Sequence, residues 1–499
     1  MRHIHLQFGA LVVLSTITYL FSLVSQMLTS YHFGTGPIMD VYWLGLALAG
    51  VVTFYVHPFR EAFVPLVFQK AKRNKQEANE VLTAGFFAVA SVSVVVSIVF
   101  FVTLSFGFFD KPEVNGSAYL LKAFVPYIAL FALSETCNAL LTSFDLVIYQ
   151  VVARLIAAIG SVICIALLAS KIGVYALLIS LFFGQTLTLF FSWRQLKKSG
   201  LGFRWRGLKL IGDSTFLSMF GSLIFNYFIS HGYLFYERWT MSHLLTGSVA
   251  AYQYAVSLVN VIISIIPLSL INLLWPRFLD LNSEGNNSGM FRLITKASSF
   301  LGFVLLACSA YVFKWRYSIV RFLFARGAFG KASLELTCRA LSLTVFAAVT
   351  VGLVSLGIRA LVSQGRGRET VLVGLIMSVA GVALLTVANL THSIVLAQIH
   401  WLISSLAGLI VAFVLLARGA MWQLRDVAKV FMWIVRAILA IIIPLQVVSN
   451  YYSGVNVFYQ GISLAVSGTS FLALSLALAL GLRVLDFPIK RGQRAGLIL

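Results

Sequence analysis

Long apolar segments separated by short polar stretches recur along the whole chain. Most of these segments run for about twenty residues or more, enough for an α-helix to cross the ~30 Å hydrocarbon core of a bilayer. Helices suit them because a chain inside lipid must satisfy its own backbone hydrogen bonds. The pattern therefore predicts an all-α, polytopic membrane protein with about fourteen spans, at approximately 8–30, 41–68, 82–108, 119–143, 150–170, 172–193, 215–236, 248–275, 297–314, 338–362, 370–389, 393–417, 430–449 and 459–482.

Basic residues are distributed unevenly among the predicted loops. If the N-terminus is cytoplasmic, the cytoplasmic loops and termini hold 24 of the 37 lysines and arginines, as expected because basic residues concentrate on that side. Both termini are therefore predicted to be cytoplasmic, with a basic C-terminal tail. Nine basic residues fall on the outside, and six of them form a cluster for which an emerging glycan and anionic lipid are equally good partners: Lys314, Arg316, Arg321, Arg326, Lys331 and Arg339.

Composition agrees with the spans and excludes several classes of protein. Hydrophobic residues make up 60% of the 499 residues and charged residues 11%, whereas soluble domains carry about a quarter charged residues. The net charge of +21 is accounted for by loops that contact anionic lipid headgroups, so no nucleic-acid partner is predicted. The four cysteines are scattered among apolar segments and no P-loop, HExxH or CxxC motif is present, so the sequence predicts no metal site and no cofactor.

A faint internal repeat suggests how the spans are grouped. Thr35–Pro65 and Thr246–Pro276 align at an offset of 211 residues, each beginning in a turn and continuing into a span. A basic connection at 194–214 joins spans six and seven. We therefore predict an N-lobe of spans one to six (1–200), a C-lobe of spans seven to twelve (201–417), and a last part with two spans and the basic tail (418–499). Two lobes related by a parallel repeat suit alternating access.

Charged residues within spans are the strongest candidates for a site, because each costs at least ~2.5 to 3.5 kcal/mol at the centre of a bilayer. Arg60 and Glu61 lie in span two, and Glu237 and Arg238 end span seven. The alternatives are that the first pair lies at the inner headgroups and the second at the outer interface. One face of span seven is polar, which favours a cavity lining over contacts between helices: Asn226, Ser230, Tyr233 and Glu237.

Two further features of the spans have structural interpretations. Glu135 in span four and Arg154 in span five are predicted to form a pair within the first lobe. His57 precedes Pro58 and is interpreted as marking a kink, and Pro267 predicts a break in span eight, since proline interrupts the helical hydrogen-bond ladder.

Several short motifs, taken in order, resemble a known family. They are Phe33-Gly34, Asp40 at the start of span two, Ala62-Phe63-Val64-Pro65, Trp275-Pro276-Arg277, Phe324-Ala325-Arg326-Gly327-Ala328-Phe329, and Leu361 to Thr370 with Gly365 and Arg366. Together they are similar to motifs of the MviN/MurJ lipid II flippases of the multidrug/oligosaccharidyl-lipid/polysaccharide exporter superfamily. The resemblance covers most of spans one to eleven. It implies a V-shaped pair of six-helix lobes around a hydrophilic cavity, with the last two helices lining a groove for a lipid tail.

The sequence departs from that family at its cationic positions. Where the family carries arginines in span one, this chain has Tyr19 and Ser25; the Asp-Arg pair of span eight falls on Val256-Ser257, and the arginines of span two meet apolar residues at Val51 to Tyr55. Arginine suits phosphate oxygens well. A cargo with less charge than lipid II, such as an exopolysaccharide, capsule or O-antigen unit, is therefore expected.

The sequence thus predicts a flippase, not an enzyme, in a bacterial inner membrane, moving a polyprenyl-pyrophosphate-linked oligosaccharide, with lipid II kept as a possible cargo. Expected partners are that lipid-linked glycan, membrane lipids, and a glycan polymerase or glycosyltransferases. Coupling to the membrane potential, H⁺ or Na⁺ is expected. The alternatives are a multidrug cation antiporter that uses Glu135 and a membrane-embedded polysaccharide polymerase or glycosyltransferase. The predicted cavity residues are Tyr19, Ser25, Arg60, Glu61, Asn226, Ser230, Tyr233, Glu237, Arg238 and Asn260, and the predicted gating residues are Asp40, Pro65, Pro267 and Pro276.

Overall fold

A computed structural model of the chain describes residues 2–107, 116–143, 146–198, 200, 214–417, 424–448 and 457–481. Within these ranges the regular structure is helical throughout, which confirms the predicted all-α class. The helices are α1 (Arg2–Phe33), α2 (Pro37–Val52), α3 (Val56–Arg73), α4 (Lys75–Ser105), α5 (Ser117–Lys122), α6 (Val125–Ser143), α7 (Val147–Ile172), α8 (Tyr175–Lys198), α9 (Ser214–Leu244), α10 (Ser248–Ser283), α11 (Asn287–Phe324), α12 (Lys331–Thr344), α13 (Ala347–Ser363), α14 (Gly367–Leu390), α15 (Ile394–Ala417), α16 (Leu424–Val448) and α17 (Val457–Gly481).

Each predicted span coincides with one of these helices or with two consecutive ones. Among the described residues, nine helices are long and apolar enough to cross a membrane, or eleven if two bent pairs are each counted as one span. The bent pairs are α2 with α3, at 43°, and α12 with α13, at 42°. The chain is therefore a multi-pass membrane protein, and the number fourteen is not confirmed.

The break between α2 and α3 has a local cause. Pro58 lacks an N–H group and its ring would clash with the carbonyl of residue 54 in a continuous helix, so α2 ends before that carbonyl and α3 begins just ahead of the proline. The hydroxyl of Thr53 donates at 2.8 Å to the carbonyl of Ala49, which also accepts from the Thr53 N–H at the end of α2. The kink predicted near His57 is thus present.

The break predicted at Pro267 is absent, because α10 continues through it as one helix. Long apolar helices tolerate proline where neighbouring groups satisfy the freed carbonyl. The side chains of the predicted gating residues Pro65, Pro267 and Pro276 lie outside the described residues.

The described chain divides into two compact units. Unit 1 comprises Met1–Val261, Leu323–Thr344 and Val371–Ala407, and unit 2 comprises Ile262–Phe322, Val345–Thr370 and Gly408–Leu499. The core of unit 1 is formed by α3, α4, α6 and α8 around residues that include Phe63, Leu82 and Leu140. The core of unit 2 is formed by α11, α16 and α17 around residues that include Phe303, Ile441 and Phe471.

Other expectations about organisation stay predictions. Most of the basic connection at 194–214 and the basic tail after 481 lie outside the described residues. The predicted lobes and the cytoplasmic location of both termini are likewise not tested.

Candidate functional site

Three groups of polar side chains within unit 1 form the candidate site. The first, the α2–α10 junction, consists of Thr35, Asp40, Gly247, Ala250 and Tyr254. Asp40 is 2% exposed and accepts hydrogen bonds from the N–H groups of Gly247, at 2.6 Å, and Ala250, at 2.9 Å. A carboxylate is favourable there because a helix N-terminus carries unsatisfied N–H groups and a partial positive charge. The repeated segments thus contact each other through the predicted gating residue Asp40.

Close backbone packing completes the junction. Gly247 has φ of +82°, a conformation that favours glycine, and a Cβ atom there would collide with the carbonyl oxygen of Thr35. The Tyr254 hydroxyl donates to the carbonyl of Gly34 at 3.0 Å. The hydroxyls of Thr35 and Ser333 lie 2.8 Å apart. The resemblance motifs at 33–40 and 324–329 therefore meet here, since Tyr254 also packs against Phe329.

The second group, the imidazole cluster, consists of His57, Arg60, Glu61, Glu135, Tyr227 and His231. His57 on α3 is stacked on two rings of α9: the centroid distances are 5.4 Å to Tyr227 and 5.7 Å to His231, with interplanar angles of 18° and 10°. The Tyr227 hydroxyl donates to the carboxylate of Glu61 at 2.6 Å. Three nearly parallel rings beside a carboxylate offer flat faces and hydrogen-bonding edges, which suit a polar organic headgroup.

The guanidinium of this cluster is paired. Arg60 on α3 lies 3.4 Å from the carboxylate of Glu135 on α6, and the two side chains are 26% and 16% exposed. The predicted pairing of Glu135 with Arg154 is wrong, because the side chain of Arg154 is exposed on α7 and Glu135 turns towards α3. The two glutamates and Arg60 give the cluster a net formal charge of −1 when both imidazoles are neutral.

The third group, the glutamate–histidine cluster, consists of Tyr233, Glu237, Arg238, Tyr252, Gln253, His400 and Ser404. The Nε2 atom of His400 lies 2.9 Å from a carboxylate oxygen of Glu237, and these side chains are 0% and 5% exposed. The other carboxylate oxygen lies 3.5 Å from Arg238, whose guanidinium donates to Gln253 at 2.9 Å. Such a buried set of charges is stable only because each charge has a partner.

The position of Glu237 and Arg238 relative to the outer interface stays a prediction, whereas their contacts within the chain are defined. The predicted span ended at 236, but α9 continues to Leu244, which places both residues inside the helix. Glu237 is buried and contacts His400 of α15.

Other polar residues of α9 contact neighbouring helices. A Cβ atom at Gly374 of α14 would meet the amide of Asn226, and one at Gly381 would overlap the ring of Tyr233. Tyr233 also lies 3.3 Å from the hydroxyl of Ser404. Glycine at these places on α14 lets the polar side chains approach its backbone. Ser230 is half-buried.

The remaining predicted cavity residues take no part in the hydrogen bonds and ion pairs that define the three groups. Within the described part of the chain, Tyr19 and Ser25 are half-buried on α1 and Asn260 is exposed on α10. Their role in a cavity stays a prediction.

His400 was not among the predicted site residues. His400 is the one ionisable residue in the predicted span 393–417. The criterion that identified Glu237, an ionisable residue within an apolar span, therefore applies to His400 as well. The stacking of His57 on His231 carried no such signal, because it depends on the approach of two helices far apart in sequence.

Comparisons with known proteins agree with the resemblance of the motifs. Residues 29–469 match the family model described as lipid II flippase MurJ. A curated relative, the probable lipid II flippase MurJ of Buchnera aphidicola subsp. Schizaphis graminum (strain Sg), is 24% identical over 377 residues, covering 70% of this chain and 71% of that protein.

Solved structures share the fold. A lipid II flippase MurJ in an inward closed conformation has a TM-score of 0.78 at 16% identity, covering 96% of this chain and all of that one. An inward-facing multidrug resistance transporter of the MATE family in the MOP superfamily has a TM-score of 0.66 at 14% identity, covering 83% of this chain and 97% of that one.

Proposed function

We propose that this chain, which belongs to the lipid II flippase MurJ family, moves a lipid-linked exopolysaccharide, capsule or O-antigen unit rather than lipid II. Membership of the family makes the protein a transporter of a lipid-linked cell-envelope precursor and not an enzyme. The identity of the glycan is the proposal. Glycosyltransferases would supply such a cargo and a polymerase would consume it.

The charge of the imidazole cluster is the observation that carries the proposal. Lipid II combines a pyrophosphate with a peptide that bears carboxylates, so binding it requires several free cations. In this cluster Arg60 is held by Glu135, and Tyr19 and Ser25 stand where the family carries arginines. A lipid-linked oligosaccharide without a peptide keeps the pyrophosphate but lacks the peptide carboxylates, so its binding requires fewer free cations. Its sugar rings pack on the flat rings of the cluster, and its hydroxyls donate to carboxylates such as Glu61.

We propose that transport proceeds by alternating access. The α2–α3 pair and α10 supply the moving walls, and the α2–α10 junction closes one side when Asp40 binds the start of α10. The membrane potential is a sufficient energy source, because each charge moved across it is worth ~2.3 kcal/mol per 100 mV.

Deletion of the gene tests the cargo directly. Lipid-linked intermediates are extracted from the deletion strain and identified by mass spectrometry. We expect a polyprenyl-pyrophosphate-linked oligosaccharide without peptide to accumulate. Accumulation of lipid II in its place would refute the proposal.

Variants in the deletion strain test the site. His231→Ala removes one of the stacked rings, and we expect glycan export to fall at least tenfold. His243→Ala is the matched control, since His243 lies on the same helix with an exposed side chain, and we expect export to stay within twofold of the native chain. Equal export by both variants would remove the imidazole cluster from the site.

A further inference from the structure

The glutamate–histidine cluster combines the features of a proton-binding site. We propose that the Glu237–His400 pair takes up and releases the proton that couples this transporter to the proton gradient. This inference rests on the proposed transport cycle, but not on which glycan is moved.

The geometry suits a single exchangeable proton. The His400 Nε2 and Glu237 carboxylate lie 2.9 Å apart, and the Nδ1 of His400 lies 2.6 Å from the carbonyl oxygen of Ala397. When Nδ1 carries a hydrogen, it donates to that carbonyl, and Nε2 is then the position that gains or loses the proton. The imidazole is fully buried, so the proton is held away from bulk water.

The groups that face the pair come from three helices. Arg238 and Tyr233 lie on α9 with Glu237, Tyr252 lies on α10, and His400 lies on α15 with Ser404. With His400 neutral, Glu237 and Arg238 balance each other. A proton on His400 adds one uncompensated positive charge on a side chain that is 0% exposed, and such a charge is costly in an apolar interior.

That cost gives the pair two preferred environments. The neutral form favours the packed arrangement seen here, whereas the protonated form favours an arrangement in which α9, α10 and α15 admit water. A ligand shifts an equilibrium between two conformations only by its difference in affinity for them. The proton meets this condition because the two arrangements solvate its charge differently.

A short chain of contacts connects the pair to the α2–α10 junction. The ring of Tyr252 lies 5.9 Å from that of His400, and Gln253 accepts from Arg238. Tyr252 and Gln253 both belong to the first turns of α10, and the N–H groups of Gly247 and Ala250 at the start of the same helix bind Asp40. A displacement of α10 at the cluster therefore acts on the junction. Protonation would loosen the junction, and loss of the proton would restore it.

Pulsed electron paramagnetic resonance on the full-length chain in nanodiscs tests the proposal without any glycan. Spin labels are attached at Tyr119→Cys and Leu245→Cys, whose native side chains are 74% and 42% exposed. The four native cysteines are first replaced by alanine: Cys137, Cys164, Cys308 and Cys338. Distances between the labels are measured at about pH 5.5 and about pH 8, a range over which histidine changes charge.

In the otherwise native chain we expect the ratio of the two distance populations to change about tenfold between these pH values. This is the change that follows when the two arrangements of the cluster differ about tenfold in their affinity for the proton. In His400→Gln and in Glu237→Gln we expect less than a twofold change. His243→Gln, which alters an exposed histidine of α9, should respond like the native chain. Using two variants keeps the test decisive if one of them fails to give monodisperse protein.

Three results would overturn the proposal. They are no response of the native chain to pH, an unchanged response in both cluster variants, and a response to Na⁺ at constant pH in place of a response to H⁺. Each of them leaves the proposed cargo untouched, because no glycan is present. Conversely, accumulation of lipid II in the deletion strain would refute the proposed cargo but would not contradict the proposed proton site.

Discussion

The contact of Asp40 with the start of α10 yields the sharpest prediction. The carboxylate is buried and accepts from the N–H groups of Gly247 and Ala250. Asp40→Ala removes both acceptors, whereas Asp40→Asn keeps one side-chain oxygen and loses the charge. The two variants therefore separate the hydrogen bonds from the electrostatic contribution.

The magnitude follows from the two bonds. A hydrogen bond to a charged group contributes ~1.5 to 3 kcal/mol. Loss of both hydrogen bonds in Asp40→Ala therefore destabilises the closed junction by ~3 kcal/mol or more relative to the open form. In the open form water solvates the same N–H groups. Since ~1.4 kcal/mol corresponds to a factor of ten, the ratio of closed to open junction should fall about 100-fold. Asp40→Asn should lower it about tenfold.

The labels at Tyr119 and Leu245 measure this ratio in nanodiscs. We expect the population with the longer distance to grow in the order native, Asp40→Asn, Asp40→Ala, and glycan export to fall in parallel. Asp280→Ala is the control, because Asp280 is an aspartate on α10, the helix whose start Asp40 binds, and its side chain is 62% exposed. Unchanged distances in Asp40→Ala would refute the assignment of this contact as the closure of the junction.

Two further predictions concern stability in detergent, measured by thermal unfolding. Arg60→Ala leaves Glu135 without its partner at a largely buried position, so we expect the free energy of unfolding to fall by ~1 to 3 kcal/mol. The double variant Arg60→Ala with Glu135→Ala should recover most of that loss, and additive losses would contradict the pairing. Gly381→Ala places a methyl group in the ring of Tyr233 and should destabilise the protein by ~1 to 3 kcal/mol. Gly232→Ala on α9 meets nothing within 4 Å and should stabilise the helix by ~0.5 to 1 kcal/mol, so equal effects of the two variants would contradict the close packing of α9 on α14.

Much of the architecture could be predicted from the chain alone. Each predicted span coincides with a helix or a pair of helices, because lipid leaves a long apolar segment no other way to satisfy its backbone. The kink at Pro58 followed from the covalent structure of proline. The family followed from short motifs kept in order, and the match over 29–469 confirms it.

The site could be predicted only in part. Glu237 and Arg60 were found because an ionisable residue in an apolar span is costly wherever the helix lies, and that cost is visible in the sequence. Their partners were not visible. The sequence paired Glu135 with Arg154, a neighbour along the chain, whereas the structure pairs it with Arg60, 75 residues away.

The sequence by itself determined that this is a helical membrane transporter and which ionisable residues lie in its apolar segments. It also predicts that Thr35–Pro65 and Thr246–Pro276 occupy equivalent places. The tertiary structure decided what those residues do. It brought Asp40 to the start of α10, His57 against Tyr227 and His231, and His400 onto Glu237. The ability of a helix to lie in lipid follows locally from its apolar composition, whereas the partner of a buried charge depends on the packing of helices from distant parts of the chain.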